Sequence, residues 1–383
     1  MIEVIVNRPS FEYDIHSLVK SFFPREDVQI HVQDTFTEDT ALRISVEFTD
    51  ETVSICLMEQ GEEKESGASV INYAERKETK NRLKRQLYQL LCAYTGQTLP
   101  WGTLTGIRPA KIAMGLIEQG KSNVETAEYM RNTYLASKEK VALSVMIANR
   151  DRYVLRNIDY KDGYSLYVGI PFCPSICLYC SFSSYPLERW RKQVDQYLDA
   201  LCKELDYVAD RFRDKKLNTV YIGGGTPTTL EPYQLDRLLT RIQSKFDTEH
   251  LQEFTVEAGR PDSITREKLE VIHKHNISRI SINPQTMKEE TLRLIGRQHT
   301  VQQTSDSFKL AREVGFDNIN MDLIVGLPEE TIEDVRETMR QLEELDPDNI
   351  TVHSLAIKRA ARLRMQKEQY ENLHIENTAQ TID

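Results

Sequence analysis

The sequence has no long apolar run. Nothing in it approaches the roughly 18 apolar residues of a membrane-spanning helix, so no membrane span is expected. It is also short of positive charge: 49 Lys and Arg stand against 59 Asp and Glu, for a formal net charge of −10. Phosphate backbones are held by clustered Lys and Arg, so no general nucleic-acid partner is expected. The one basic run, Lys80 to Arg85, reads as a solvated helix face, with a phosphate-contacting face as the alternative. No GxxxxGK[ST] is present, and no GxGxxG in its usual spacing, which excludes the common nucleotide-phosphate loops. Cysteine is scarce, with six in 383 residues. Cys56, Cys92 and Cys202 are scattered in apolar or amphipathic contexts and read as buried thiols. The N-terminus, MIEVIVNRPS, carries an early acid and alternates like a strand, so no signal peptide is expected. A cytoplasmic, reducing setting follows, where clustered cysteines mean metal or redox chemistry rather than disulfides.

Two halves are present. Residues 1–158 mix short strands (IEVIV, VQIHV, ALRISVEF, TVSICLM) with helices, and SNVE at 122–125 is a capping box. This predicts an α+β N-terminal domain, whose role the residues do not disclose. A turn, DYKDG at 159–163, marks the boundary. Beyond it an apolar strand is followed by an amphipathic helix six times over. The strands are predicted at 165–170, 219–223, 253–258, 279–283, 318–325 and 349–357. Their near-continuous apolar runs predict an α/β fold with a parallel sheet. Six units fall short of a closed eight-unit barrel, so an open, partial (β/α)6 barrel is expected over 159–360. One C-terminal helix is expected over 361–383.

In a parallel α/β sheet the site lies at the C-terminal ends of the strands. PFCPSICLYC follows the first strand and GGGTP the second. Glu257 ends the third, NPQT with Gln285 the fourth, Asp322 and GLP lie on and after the fifth, and His353 and Ser354 end the sixth. Cys173, Cys177 and Cys180 form C-x3-C-x2-C. Structural zinc wants four ligands, and no second Cys pair exists here. His273 and His275 sit near a helix end, read as surface. A four-iron cluster held by three thiolates leaves one iron open for a small molecule. The glycines let backbone approach a ligand. Glu257 and Asp322 end strands in apolar surroundings and need partners, and Arg297 can supply charge to a carboxylate.

These residues resemble the radical S-adenosylmethionine (SAM) superfamily, whose signature is C-x3-C-x2-C with an aromatic, here Tyr179, before the last Cys. YVGIPFC, CLYCSF, GGGTPT, SINPQT, GRQH and MDLIVGLP resemble its oxygen-independent coproporphyrinogen III oxidase-like branch, and LPWGTLTGIRPAKIA resembles the HemZ type. The resemblance implies a [4Fe–4S] cluster on Cys173, Cys177 and Cys180, with SAM on the open iron. It implies SAM contacts at Tyr167, Tyr179, Gly224, Gly225, Thr226, Glu257, Gln285, Arg297, Asp322 and Ala356. It further implies reductive SAM cleavage to a 5′-deoxyadenosyl radical, a reducing electron donor, and a porphyrinogen or haem-like substrate. For the oxidases the reaction is decarboxylation of two coproporphyrinogen III propionates to vinyls, giving protoporphyrinogen IX in haem biosynthesis.

Two features depart from the oxidases. They carry a further Cys where this chain has Phe182, and haem-chaperone relatives have an apolar residue there. The branch also continues past the sixth strand with a region that helps close the barrel mouth, of which only one helix is expected in this sequence. The alternative is therefore a haem-binding or haem-transfer protein on the same scaffold. No HNPV-like haem signature is present, and His353 and Cys202 are the candidate haem ligands. A third alternative, an electron-transfer module, needs neither GGGTP nor Glu257 nor Gln285.

Overall fold

The computed structural model describes residues 1–33, 42–106, 108–159, 162–358, 360–366, 370 and 373. The chain divides into two compact units, Met1–Asn157 and Ile158–Asp383.

In the first unit a five-stranded sheet runs in the order Val28–Val32, Ile2–Val6, Leu42–Phe48, Thr52–Glu59, Glu62–Val70. Strict alternation along Leu42–Phe48 buries Leu42, Ile44, Val46 and Phe48 on one face. Helices Glu12–Phe22 and Arg76–Thr95 cover that face through Ile15, Leu18, Leu83 and Leu87. The fifth strand, EEKESGASV, was not expected, because it carries no apolar alternation. It is an edge strand, where charge is tolerated and discourages further pairing. Three more helices, Pro109–Glu118, Asn123–Tyr134 and Lys138–Leu155, share a second small core. Ser122 and Glu125 close the expected capping box. The basic run is not simply solvated. Lys84 is buried and donates to Thr105 at 2.9 Å, while Arg82 and Arg85 share Glu78.

The second unit is a six-stranded parallel sheet in the order Asn349–Ser354, Ile319–Val325, Arg279–Gln285, Glu253–Gly259, Lys216–Gly224, Gly163–Ile170. Each strand pairs with its neighbours in chain order and the order never reverses. That is an open half-barrel rather than a doubly wound sheet, as expected. The strands are not apolar on both faces. One face packs Val168, Ile222, Val256, Ile282 and Met321 against the helices. The other carries Tyr167, Tyr221, Glu257, Asn283, Asp322 and His353, set by the two-residue period. The apolar runs hide this because tyrosines and single polar residues alternate within them. The sixth strand ends at Ser354, short of the expected 357. A short helix, Arg362–Met365, begins the expected C-terminal helix; most of that expectation, at 367–369, 371–372 and 374–383, lies outside the described residues. Among the described residues no helix is long and apolar enough to cross a membrane.

Candidate functional site

The C-terminal ends of the strands surround a cavity of about 310 Å³. Cys173, Cys177, Tyr179, Cys180, Gly224, Gly225, Thr226, Glu257, Gln285, Arg297, Asp322 and Ala356 all line it. Tyr167 does not. It stands on the inner face, 62% exposed, with its ring stacked on Tyr221 at 5.9 Å and 9°.

The cysteine loop follows the first strand and is tied down at several points. Gly225 N–H donates to Ile170 O and Thr226 N–H to Phe172 O, both at 2.7 Å. Leu178 N–H donates to Ile295 O at 2.9 Å, and Leu178 packs in a small apolar cluster with Ile295, Leu327 and Leu363. Ser175, between two cysteines, donates its hydroxyl to Gly296 O at 2.7 Å. Its Oγ and carbonyl accept from Arg260 Nη1 at 2.7 and 3.1 Å. The rest of that guanidinium is occupied by both oxygens of Asp262, at 3.0 and 2.6 Å. Arg260 is 3% exposed.

The glycine turn serves this loop first. Gly224 holds φ 106°, a left-handed value that favours glycine. A Cβ on Gly225 would stand 2.6 Å from Phe172 O and 3.0 Å from Cys173 Sγ. The bare backbone is what lets the second strand's turn close on the first cysteine.

Beside the thiols lie the charged groups. Glu257 accepts a hydrogen bond from Tyr221 Oη at 2.5 Å. Burial, opposed by that bond and aided by Asp322, raises the Glu257 carboxyl from 4.5 to about 7. Asn320 Nδ2 donates to Asp322 at 2.7 Å and to Ser281 at 2.9 Å, so the neighbouring acid is oriented from below. Gln285 ends its strand at φ 70°, a left-handed conformation rare for a non-glycine residue. Such backbone is held at sites where the surroundings enforce it. Arg297, 7% exposed, donates from Nη1 to Asn283 O at 2.5 Å, while its Nε is buried with no partner. Burial pushes the Cys173 and Cys180 thiols up.

A pH-dependent stability follows for Glu257. Between pH 4.5 and about 7 the folded chain holds a proton that the unfolded chain releases, so stability falls as pH rises through that window. Glu257→Gln is expected to be the more stable chain at pH 8, by at most about 3 kcal/mol, and no more stable than the parent at pH 4.5. Thermal melts without added ligand at the two pH values check this. An equal gap at both would show that the carboxyl does not titrate as described.

A profile of the Radical SAM superfamily matches residues 167–342. These residues are a radical SAM domain. The chain is 40% identical over 311 residues to the oxygen-independent coproporphyrinogen-III oxidase-like protein HemZ of Bacillus subtilis, covering 80% of this chain and 62% of that protein. It is 37% identical over 195 residues to the heme chaperone HemW of the same organism, about half of each chain. The solved coproporphyrinogen III oxidase HemN of Escherichia coli, a radical SAM enzyme, superposes with a TM-score of 0.51 at 28% identity, over 61% of this chain and 53% of that one. The chain thus spans between about 51% and 62% of these relatives' lengths.

A radical SAM domain implies a [4Fe–4S] cluster and SAM, and the residues here fit both. Three thiols of one loop line one cavity, and the bare Gly225 backbone packs directly against the first of them. Among the described residues no group converges to hold a single metal ion. The partnerless Arg297 Nε, the Glu257 carboxyl and the Asp322 carboxyl suit a ligand carrying both acid and polar groups.

The other sequence candidates separate. His353 lines the cavity, whereas Cys202 lies on helix Val194–Arg211 and borders a different groove. His273 packs edge-on to Phe316. His275 is not a surface residue: it is buried between Gln243 and Asp236. Arg260, Asn283, Ser184 and Lys358 line the cavity without having been singled out, and Tyr221 stands behind Glu257. Arg260 was within reach of the strand-end rule, three residues after Glu257. Tyr221 was within reach of the two-residue alternation, two before Gly223.

Proposed function

We propose that this chain binds a [4Fe–4S] cluster through Cys173, Cys177 and Cys180, binds SAM beside it, and acts on a porphyrinogen by oxygen-independent decarboxylation of propionates to vinyls. The observation that carries this is the single cavity joining three thiols to Glu257, Gln285, Arg297 and Asp322. An electron-transfer module needs the thiols alone. When bound, the cluster and SAM supply the one-electron cleavage and hydrogen abstraction that such a reaction requires.

The chain's own residues bind, orient and shield. Arg297 offers its free Nε to the methionyl carboxylate, and the Gly224–Gly225 backbone offers its carbonyls to the ammonium. Asp322, held by Asn320, and Glu257, held by Tyr221, accept from ribose hydroxyls. Tyr179, Thr226, Gln285 and Ala356 complete the wall, and Tyr167 supports Tyr221 from outside. The Leu178, Ile295, Leu327 and Leu363 cluster excludes water from behind the loop. A reducing, cytosolic setting suits thiols that must stay free for iron, and a low-potential electron donor completes the system.

A haem chaperone is the second reading. It is favoured by Phe182, which lines the cavity yet is 74% exposed and stands where the oxidases have a cysteine. The test is anaerobic incubation of the reconstituted chain with dithionite, SAM and coproporphyrinogen III. Stoichiometric 5′-deoxyadenosine with a vinyl product is expected. Stable haem binding with no decarboxylation would move the conclusion to the chaperone, and no SAM cleavage by a fully loaded cluster would overturn both enzymatic steps.

A further inference from the structure

Among the residues lining the cavity, one buried hydroxyl has nothing to bond to. Ser184 Oγ is shut off from solvent and has no hydrogen-bond partner. An unmet buried hydroxyl costs about 1–3 kcal/mol, and each such group in a folded chain calls for an explanation.

Its position supplies one. Tyr185 N–H donates to Pro171 O at 2.7 Å, and Phe172–Cys173 pairs in parallel with Tyr185–Pro186. This pairing folds the end of the cysteine loop back onto its start and brings Ser184 next to the first cysteine, and Ser184, Cys173 and Cys180 line the same cavity. From the glycine turn, Thr226 Oγ1 donates to Cys173 Sγ at 3.6 Å. Two separate loops thus bring hydroxyls to this end of the cavity, and of the two only that of Ser184 lacks a bonded partner.

We propose that Ser184 donates its hydroxyl hydrogen bond to a cluster-ligating sulfur of Cys173 or Cys180 and thereby raises the reduction potential of the cluster. This rests on the three-thiolate cluster described above. One electron enters from an external low-potential reductant, the proton stays on Oγ, and no bond breaks. The reduced cluster carries one more negative charge, and a hydrogen bond to a more negative acceptor is stronger. The bond therefore favours the reduced form, and hydrogen bonds to cluster sulfurs are among the levers that set such potentials.

The test is a dithionite titration of the reconstituted full chain, followed by electron paramagnetic resonance, with iron and sulfide counted first. Ser184→Ala is expected to load fully. At the parent's midpoint potential its ratio of reduced to oxidised cluster is expected to fall about tenfold, which is about 59 mV for one electron. Ser184→Thr and Ser184→Val share one shape and differ in the hydroxyl; the first is expected to match the parent and the second to match the alanine chain. Full loading with the parent's midpoint in the alanine and valine chains would overturn the proposal. Loading lost in those two but kept in the threonine chain would also overturn it, since the hydroxyl would then retain the cluster rather than tune it. A parent chain that takes up no iron and sulfide would instead remove the cluster reading beneath it.

Discussion

Cys177→Ala is expected to emerge from anaerobic reconstitution without cluster absorbance, and with 5′-deoxyadenosine formation at background. Two thiolates would remain for a cluster that three must hold. The chain's other thiols, Cys56, Cys92 and Cys202, line no part of this cavity. Cys177 is also the buried member of the set, against Arg297. Its loss would take away one of the groups that the buried Arg297 guanidinium faces, alongside Tyr179. Cys202→Ala is the control and is expected to keep the parent's iron content. A Cys177→Ala chain that loads and cleaves SAM like the parent would end the three-thiolate assignment.

Arg260→Met is expected to lower the stability of the second unit by about 3–5 kcal/mol, the usual cost of breaking a buried pair by removing one partner. For a unit of this size that corresponds to roughly 10 °C in Tm. The substitution strands Asp262, 15% exposed, without its two-pronged partner, and frees Ser175 from the clamp. Because Ser175 lies between Cys173 and Cys177, the loop that carries both thiols should also loosen, so cluster content should fall even at temperatures where the chain remains folded. Arg260→Lys should be intermediate, since an ammonium cannot make the forked contact. Calorimetry and iron counting on both variants check this. A methionine chain that loses Tm but loads a full cluster would show that the clamp supports the fold and not the loop.

Much of this was legible in the sequence, for reasons that differ by feature. The six strands of the half-barrel were found because short β-branched runs between amphipathic helices are a local signal. The cysteine loop and five polar strand-end positions followed from one topological rule, which holds because parallel strands all point the same way. The edge strand Glu62–Val70 was missed because its fitness for pairing lies in its neighbour, Thr52–Glu59, and not in its own pattern. Tyr167 was placed with the SAM contacts by resemblance, yet it stands outside the cavity wall, one ring away from Tyr221.

Local pattern and covalent spacing determined the order of elements, the parallel half-barrel and the three thiols on one loop, because periodicity and motif spacing are properties of neighbouring residues. Tertiary structure alone decided which of those residues act together. Arg260 grips a serine 85 positions away, Tyr221 reaches Glu257 across 36, and Ser184 is brought back beside Cys173 by the pairing of two loop ends. Burial and hydrogen-bond partners are set by what the folded chain places alongside a group, and no local pattern encodes them.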